Sequence, residues 1–280
     1  MKVKPIASDS MGVRSMATYI ETKHCKILID PSAALGQKRY GLNPHQKEIK
    51  ALSMIKSTIN KIAEKCDILT ISHYHFDHFE QDEMFYRGKK VFAKDIFQKI
   101  NNSQKQRGSD LKNKIEKKCD LIYCDNTEYK IKDTIIKFSP PFFHGPENIK
   151  LGYVIMTTID DGKKRIIHTS DVQGPVEEKP TNYIIEQKPD ILILDGPPTM
   201  MLGFRFSKKN LEKATKNLCQ IIKKTKCEII LDHHLLRDLK YNKNFLRPYE
   251  YGKDRVKTFA EYLGKENNTL EAHRKILWGK

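Results

Sequence analysis

The chain has 280 residues, of which 39% are hydrophobic and 9% aromatic, and it carries a formal net charge of +16. This length and apolar content suffice for a buried core and exclude global disorder, and no apolar run approaches the ~18 residues of a membrane span. The six cysteines form no C-x-x-C pair, which argues against a zinc knot or a secreted disulfide scaffold. The N-terminus shows no apolar run of signal-peptide length, so we expect a cytoplasmic protein.

Short apolar runs between turn signals predict a series of β-strands. Residues 16–20 and 26–30 predict an antiparallel hairpin, and residues 67–71 predict a buried strand that leads directly into a histidine cluster. The later strand predictions are, in chain order, 90–92, 120–124, 134–139, 152–159, 164–171, 190–195 and 227–232. Strands therefore dominate the first half of the chain.

Two segments, 45–65 and 207–225, carry apolar residues at spacings of three to four and predict amphipathic helices. Ser207 is the expected N-cap of the second helix. The tail at about 255–278 predicts one or two further helices. Strands that come first and then alternate with helices are typical of a layered α/β architecture, and we expect a single domain over 1–280.

Residues 93–118 stand apart by their charge, with eight basic and three acidic residues, a net +5. We interpret the segment as a basic insertion, helical at both ends, that is either a lid or a solvated helix pair. Lys105 and Arg107 are its candidate substrate contacts. Together with the net charge of +16, the segment favours an anionic partner such as nucleic acid, unless the charge only reflects a lysine-rich composition.

The sequence ISHYHFDHFE, residues 71–80, places His73, His75, Asp77 and His78 within six positions. Imidazole nitrogen and carboxylate oxygen are ligand types that suit zinc and related divalent metals. A turn that leaves the strand at 67–71 can point His73 and His75 at one ion. Asp77 and His78 would face a second ion or the other side of the same cleft.

Further metal-ligand types lie at the ends of later predicted strands: His144 after KFSPPFF, Asp171 after RIIHTS, and His233 and His234 after EIILD. A single histidine at a strand end is more often a structural residue. In combination with the cluster, however, these residues indicate a two-metal site. Asp171 could bridge two cations, which lie ~3.5–4 Å apart in two-metal hydrolases.

Three other residues have a structural and a functional interpretation. Asp195 and Asp232 each end a predicted strand, where each either caps a turn or supports ligand histidines from behind. His168 lies inside a predicted strand, so we expect it in the core or behind the ligands.

The pattern H-x-H-x-D-H, followed by single His, Asp and His residues at later strand ends, resembles the metallo-β-lactamase superfamily over residues 3 to about 240. The resemblance implies a four-layer αββα sandwich. Asp30, in ILIDPS, resembles the aspartate of the superfamily's first motif, which supports the site from behind the ligands. More closely, SDSMGVRSMATYI, HTSDVQGP, LDGPP and DHHLLRD together resemble an uncharacterised archaeal family of predicted metal-dependent hydrolases.

The resemblance also implies two divalent ions, most simply zinc, although manganese and iron tolerate the same ligands. It implies these ligand sets: His73, His75 and His144 for one ion; Asp77, His78 and either His233 or His234 for the other; and Asp171 as the bridge. We favour His233, because H-x-x-x-R over 233–237 resembles the final motif of the superfamily's transfer-RNA-processing nucleases. Asp77 would also orient the nucleophile, and His234, if it is not a ligand, is the candidate general acid.

Three functions are compatible with these features. A phosphodiesterase acting on nucleic acid or nucleotides is favoured by the positive charge. A small-molecule lactone or ester hydrolase is the alternative, and PPFFHGPE lacks the G-H-T of thioester-cleaving relatives. The third is a non-hydrolytic role, either metal-dependent redox chemistry or that of a binding protein. His75 argues against redox chemistry, because oxygen-reducing relatives carry Glu at that position, and the intact ligand set argues against a protein that only binds. The sequence is also compatible with a homo-oligomer.

Overall fold

The computed structural model describes all 280 residues. Its strands are β1 (Lys2–Pro5), β2 (Thr18–Glu21), β3 (Lys26–Ile29), β4 (Ile68–Ile71), β5 (Lys90–Ala93), β6 (Asp120–Tyr123), β7 (Glu128–Ile131), β8 (Thr134–Phe138), β9 (Phe142–Phe143), β10 (Tyr153–Val154), β11 (Thr157–Asp160), β12 (Arg165–His168), β13 (Ile191–Asp195), β14 (Glu228–Asp232) and β15 (Val256–Lys257). The helices are α1 (Gln46–Ala63), α2 (Asn102–Ile115), α3 (Glu178–Gln187), α4 (Lys208–Lys224), α5 (Tyr241–Asn244), α6 (Leu246–Gly252), α7 (Phe259–Tyr262) and α8 (Arg274–Leu277). Short 3₁₀ helices cover Asp9–Met11, Glu83–Tyr86, Thr199–Met201, His233–Arg237 and Lys253–Arg255.

The strands form two large sheets and one small hairpin. The first sheet has the order β1-β2-β3-β4-β5-β6, and the second has the order β15-β14-β13-β12-β11-β8-β7. Strands β3 to β6 are parallel, and so are β12 to β15. Parallel strands place their carboxyl ends at one edge of a sheet, which is where α/β folds position functional loops.

Three apolar clusters define the layers of the molecule. Between the sheets, Ile27 and Ile68 of the first pack with Ile166 and Ile193 of the second. On the outer face of the first sheet, β4 and β5 pack against α1 and α2, and on the outer face of the second, β13 and β14 pack against α3 and α4. This is the four-layer αββα sandwich that the resemblance implied, so that prediction is confirmed. None of the helices is long and apolar enough to cross a lipid bilayer.

The two long helices begin and end close to where their periodicity predicts. For α4, the Ser207 side chain accepts the backbone N–H of Asn210 at 3.1 Å, as expected of an N-cap. The predicted strand 152–159 is in fact split into β10 and β11. Strand β7 and helix α3 were missed, because their sequences, EYKI and EKPTNYIIEQ, contain few apolar residues.

The structure places 93–118 differently from the predicted basic insertion. The segment is the crossover between the parallel strands β5 and β6, with one helix, α2, in its middle instead of helical structure at both ends. Leu111 and Ile115 of α2 are buried against the first sheet. Lys94 is fully buried, and its Nζ lies 2.6 Å from Asp125 Oδ2. The segment is nonetheless basic, because only three of its eight cations, Lys94, Lys112 and Lys118, have an acidic partner.

The C-terminal tail contains two helices, within the range that the sequence predicts, but each is a single turn. It consists of β15, α7 and α8, joined by turns and irregular segments. Arg274 of this tail is fully buried beside Glu48 at the start of α1. Tertiary contacts, and not helical periodicity, therefore order these residues.

Candidate metal centre

The predicted ligand residues all lie in loops at strand ends, along one edge of the sandwich. The cluster 72–78 follows β4, His144 follows β9, Asp171 lies three residues beyond β12, and His233 and His234 follow β14. These loops meet because parallel neighbouring strands end at the same edge of each sheet. The structure thus brings together every residue that was predicted to hold metal.

The first group comprises His73, His75, His144 and Asp171, whose candidate ligand atoms all lie within 4.8 Å of one another. Nε2 of His73 is 3.0 Å from Nδ1 of His75. Asp171 Oδ2 is 3.0 Å from Nε2 of His144 and 3.7 Å from Nε2 of His73. Three nitrogens and one carboxylate oxygen thus converge in a geometry that a single divalent cation can use.

The second group comprises Asp77, His78 and His233. Nε2 of His78 is 3.9 Å from Asp77 Oδ1, and Nε2 of His233 is 3.7 Å from Asp77 Oδ2. Asp171 also faces this group, with its Oδ2 3.4 Å from His78 Nε2 and its Oδ1 3.6 Å from His233 Nε2. Asp171 therefore lies between the two groups.

His233 and His234 both face Asp171, but they differ in their other neighbours. His233 Nε2 approaches Asp77, whereas His234 forms a third candidate ligand group with Asp171 and His233, and its Nε2 lies 3.6 Å from Asp171 Oδ2. The side chain of His234 is 11% exposed, while that of His233 is fully buried. The doubled histidine thus supplies two inward-facing rings, of which His233 belongs with the second group.

Three carboxylates hold the outer nitrogens of these histidines. His78 Nδ1 lies 2.9 Å from Asp30 Oδ2, and His233 Nδ1 lies 2.8 Å from Asp9 Oδ2. His234 Nδ1 lies 2.9 Å from Asp195 Oδ2. Such a contact fixes the orientation of each ring and directs its Nε2 inward. Asp30 and Asp195 thus lie where residues that support ligands from behind are expected.

Asp9 and Arg237 are site residues that sequence reasoning missed. Arg237 Nε donates to Asp9 Oδ1 at 3.0 Å, and its Nη2 lies 3.8 Å from Asp77 Oδ2. Asp9 follows β1 in a 3₁₀ turn whose sequence, DSM, carries no metal-site pattern. The H-x-x-x-R spacing is the one signal in the sequence for Arg237, and it supports only the choice of His233 as a ligand.

Burial and neighbouring charges set the protonation states at the centre. Burial lowers the pKa of His73 well below its usual value and that of His75 to about 3, so both rings are neutral near pH 7. Burial also lowers the pKa of His78 and of His233, but the nearby carboxylates outweigh it. Asp171 and Asp30 raise the pKa of His78 well above its usual value, and Asp171 raises the pKa of His233 to about 9. His78 and His233 are thus protonated near pH 7, beside the carboxylates that would attract a metal cation.

Burial likewise opposes ionisation of Asp77 and Asp171. At both residues the neighbouring charges, with His78 the largest, outweigh burial and lower the pKa below its usual value. Both carboxylates are therefore ionised near neutral pH, which is the form that binds a metal ion.

The backbone is strained where three site loops leave their strands. Asp30, Ser170 and His233 have φ values of 48°, 55° and 47°, in the left-handed region that non-glycine residues rarely occupy. Each such residue costs about 1–3 kcal/mol, which the surrounding packing must offset. The strain directs Asp30 and His233 inward and turns the chain just before Asp171.

The remaining candidates divide between the rim and the core. Arg107 donates from Nη1 to the Tyr74 carbonyl oxygen at 3.2 Å, and its guanidinium lies 4.6 Å from the ring centroid of Phe76, so it borders the histidine cluster. Lys105 is exposed on α2 and makes no contact with the site. His168 is buried in the core, where its Nε2 donates to the Met16 carbonyl oxygen at 2.9 Å.

Asp232 has a structural role behind the centre. Its Oδ1 accepts hydrogen bonds from the Ser8 hydroxyl at 2.8 Å and the Ser10 backbone N–H at 3.0 Å, and its Oδ2 accepts the Phe259 N–H at 2.8 Å. It thereby anchors the turn that carries Asp9, and its Oδ1 also accepts the His233 backbone N–H at 2.7 Å.

Replacing Asp9 by Asn should lower the affinity for metal about 10–100-fold, because His233 then loses the carboxylate that orients it. Competition with a chromophoric chelator would measure the change. The matched control is Asp133→Asn, which removes the carboxylate 3.3 Å from His24 in an exposed Asp–His pair and should leave metal affinity unchanged. Equal affinities in the two variants would show that Asp9 does not support the centre.

Comparison with known proteins identifies relatives along the whole chain. No protein-family model matches it. A UPF0282 protein of Methanocaldococcus jannaschii is 42% identical over 98% of this chain and 96% of the relative. A UPF0282 protein of Pyrococcus horikoshii is 44% identical over 99% of this chain and 92% of the relative.

Solved structures show the same architecture at low sequence identity. A possible metal-dependent hydrolase from Veillonella parvula matches with a TM-score of 0.57 and 12% identity, over 91% of this chain and 94% of that one. The metallo-β-lactamase fold protein YhfI from Bacillus subtilis matches with a TM-score of 0.54 and 14% identity, over 91% and 90% of the two chains. The resemblances predicted from the motifs are confirmed: this chain has the metallo-β-lactamase fold and belongs to the archaeal UPF0282 family.

Proposed function

We propose that the protein is a metal-dependent hydrolase that binds two divalent cations and cleaves phosphodiester bonds in nucleic acid or nucleotides. The observation that carries the proposal is the pair of ligand groups on either side of Asp171. Together they offer seven side chains, more than a single tetrahedral ion can use. In this proposal His73, His75 and His144 would hold one ion, Asp77, His78 and His233 would hold the other, and Asp171 would serve as a ligand for both.

The residues present fit two such ions. His78 Nε2, His144 Nε2 and Asp171 Oδ1 are buried without a hydrogen-bond partner, although buried polar atoms are normally paired. These atoms belong to residues of the two ligand groups, where a bound cation would satisfy them. A set rich in imidazole with two carboxylates suits zinc first, while manganese and iron accept the same ligands.

Two divalent cations, when bound, supply Lewis acidity that polarises the scissile bond and activates water. The side chains of the chain then position the reaction. Asp77 is 16% exposed and kept ionised by His78, His233 and Arg237, so its carboxylate can orient the attacking water at the open side of the centre. His234 is 11% exposed, and its Nδ1 is held by Asp195. Burial lowers the pKa of His234 well below its usual value, so the ring is neutral near pH 7 and gives the leaving group a proton only after it has taken one up, such as the proton that the attacking water releases.

The phosphodiester substrate class is supported by the net charge of +16 and by Arg107, whose guanidinium borders the histidine cluster. A guanidinium can grip a phosphate through two hydrogen bonds. A small-molecule lactone or ester hydrolase remains the second candidate, because part of the charge in 93–118 is neutralised. Lys94 pairs with Asp125, and Lys112 pairs with Glu116 at 3.5 Å.

We expect two divalent ions per chain after reconstitution with excess zinc or manganese. Elemental analysis of the purified protein measures this directly, and His78→Ala should lower the stoichiometry to about one, because it removes a ligand of only one group. Saturation at one ion in the parent protein, with no change in His78→Ala, would contradict the two-ion proposal.

The substrate class is tested by offering the metal-loaded protein bis-p-nitrophenyl phosphate, short RNAs and lactones. Cleavage of the phosphodiesters in preference to the lactones is expected. Turnover of lactones alone would favour the second candidate.

We expect His234→Ala to slow hydrolysis according to the leaving group. A dinucleotide, whose alkoxide must be protonated as it departs, should lose ~10²–10⁴-fold in rate, as is typical when a general acid is removed. Bis-p-nitrophenyl phosphate should lose only a few-fold, because p-nitrophenolate leaves without a proton. Comparing kcat for both substrates at unchanged metal content measures the difference. An equal loss on both, accompanied by loss of metal, would make His234 a ligand instead.

A further inference from the structure

A basic groove lies on the outer layer of the second sheet, between α4 and the segment 243–251. It encloses about 630 Å³, and we call it the α4 groove. Its lining includes five cationic side chains and one tyrosine: Lys216, Lys223, Lys224, Lys243, Arg247 and Tyr251. Glu212 is the one acidic residue in the lining, so the groove carries a strong excess of positive charge.

The five cations of the α4 groove are unpaired and lie on one concave surface. None of them forms an ion pair, and all five are exposed. In 93–118, by contrast, three of the eight cations have an acidic partner: Lys94, Lys112 and Lys118. Unpaired cations that line a concave surface raise the local concentration of an anionic ligand. The α4 groove is therefore a second site of uncompensated positive charge, apart from the segment that the sequence suggested.

The shape and chemistry of the groove suit a polymer. Its α4 wall runs from Leu211 to Lys224, roughly 20 Å at 1.5 Å per residue, a length over which a nucleic-acid strand presents several phosphates. Tyr251 is 42% exposed, and Lys223 Nζ lies 4.6 Å from its ring centroid. Cations that follow a groove, with an aromatic ring on which a base can stack, are typical of single-strand binding sites.

Both walls of the groove begin close to the metal centre along the chain. Helix α4 follows the loop after β13, whose last residue, Asp195, contacts His234. The opposite wall begins at Lys243, a few residues beyond the 3₁₀ helix His233–Arg237. Because β13 ends at the edge that carries the ligands and the parallel strand β14 starts at the other edge, α4 runs from the first edge toward the second. A strand that follows the groove toward the first residue of α4 therefore approaches the ligand edge.

We propose that the α4 groove binds the phosphate backbone of single-stranded nucleic acid and so holds a polymeric substrate of the metal centre. The substrate role rests on the proposed function, whereas the binding itself does not require hydrolysis. The α4 groove thus raises the affinity for long substrates and does not change the reaction at the metal centre.

The test compares two triple variants of the full-length, metal-loaded protein. The groove variant is Lys216→Gln/Lys223→Gln/Arg247→Gln. The control variant is Lys50→Gln/Lys61→Gln/Lys65→Gln, which removes three exposed and unpaired charges from α1 and the turn after it, in the opposite outer layer. Both lose the same net charge, so a general electrostatic effect is common to them.

Binding is measured by fluorescence anisotropy with a labelled 2′-O-methyl phosphorothioate RNA, whose linkages resist cleavage. An oligonucleotide of about 20 nucleotides exceeds the ~4–16 nucleotides of typical single-strand sites. In the groove variant, the slope of log affinity against log salt should fall by about 2, because each lost single-strand contact removes ~0.7, and affinity at moderate salt should fall roughly tenfold. The control variant should change much less, and both should turn over bis-p-nitrophenyl phosphate like the parent.

The outcomes separate this inference from the proposed function. Equal affinities and salt slopes in the two variants would overturn the groove proposal even if the protein cleaves RNA. Selective loss of RNA binding in the groove variant supports it, even if the parent protein cleaves no phosphodiester and the proposed function fails. If the groove variant lost binding to vesicles of anionic phospholipid but retained RNA binding, the groove proposal would also be overturned, since the groove would then bind a membrane surface.

Discussion

Asp171→Ala should abolish hydrolysis and bound metal together, because this carboxylate faces all the histidines of the centre except His75 at 3.0–3.7 Å. Removing it takes a ligand from both proposed ions and leaves buried positive charge uncompensated. We expect a loss of activity of at least ~10³-fold, well beyond the 10–100-fold typical of a residue that only orients a ligand. Elemental analysis and turnover of bis-p-nitrophenyl phosphate measure the two effects.

Two cysteine variants control for damage to the fold. Cys119→Ser and Cys124→Ser alter thiols that hydrogen-bond only to backbone carbonyls, those of Ile115 and Ala93, and take no part in the centre. Both should keep metal and activity. Loss of metal in either cysteine variant, or full activity in Asp171→Ala with the native circular dichroism spectrum, would show that other side chains hold the ions.

The ligand residues could be predicted from the sequence because they combine two local signals. His73, His75, Asp77 and His78 form a pattern too dense for chance, and they follow a continuous apolar strand. Strand ends also mark His144 and Asp171, and parallel strands that end at one edge bring such residues together without further information. The predicted fold and the predicted meeting of the metal-ligand residues therefore both depend on strands that end at one edge of a sheet.

The supporting residues could be predicted only where they too end a strand. Asp30 and Asp195 do, whereas Asp9 lies in a short turn 224 residues from His233 in the sequence. Its position depends on Asp232, which binds Ser8 and Ser10 and so holds that turn against the end of β14. Contacts of this range leave no periodic pattern along the chain. Pairing of charges is equally invisible in the sequence: Lys94 and Lys118 pair with acidic residues that lie outside 93–118.

Long-range contacts also order the C-terminal tail, and the substitution with the largest expected effect on stability lies there. Arg274 and Glu48 are both fully buried, and the guanidinium binds the carboxylate through two contacts, Nε to Oε2 at 2.8 Å and Nη2 to Oε1 at 2.7 Å. Arg274 also donates to the carbonyl oxygens of Gly36 at 2.9 Å and Leu42 at 3.1 Å. One side chain thus fixes the tail, α1 and the loop after β3 to one another.

Arg274→Met should lower the free energy of unfolding by about 3–5 kcal/mol, because it leaves the Glu48 carboxylate buried without a charged partner. Glu48→Gln should cost a similar amount by leaving the guanidinium unpaired, while its amide oxygen can still accept the His45 N–H that Glu48 binds at 2.8 Å. The double variant leaves no buried charge, so its loss should be clearly smaller than the sum of the single losses. Urea unfolding of the three variants measures this coupling, which is typically 0.5–3 kcal/mol for groups in contact. Strictly additive losses would mean that the pair contributes through shape alone, and that the tail is held by packing instead of by the buried charge.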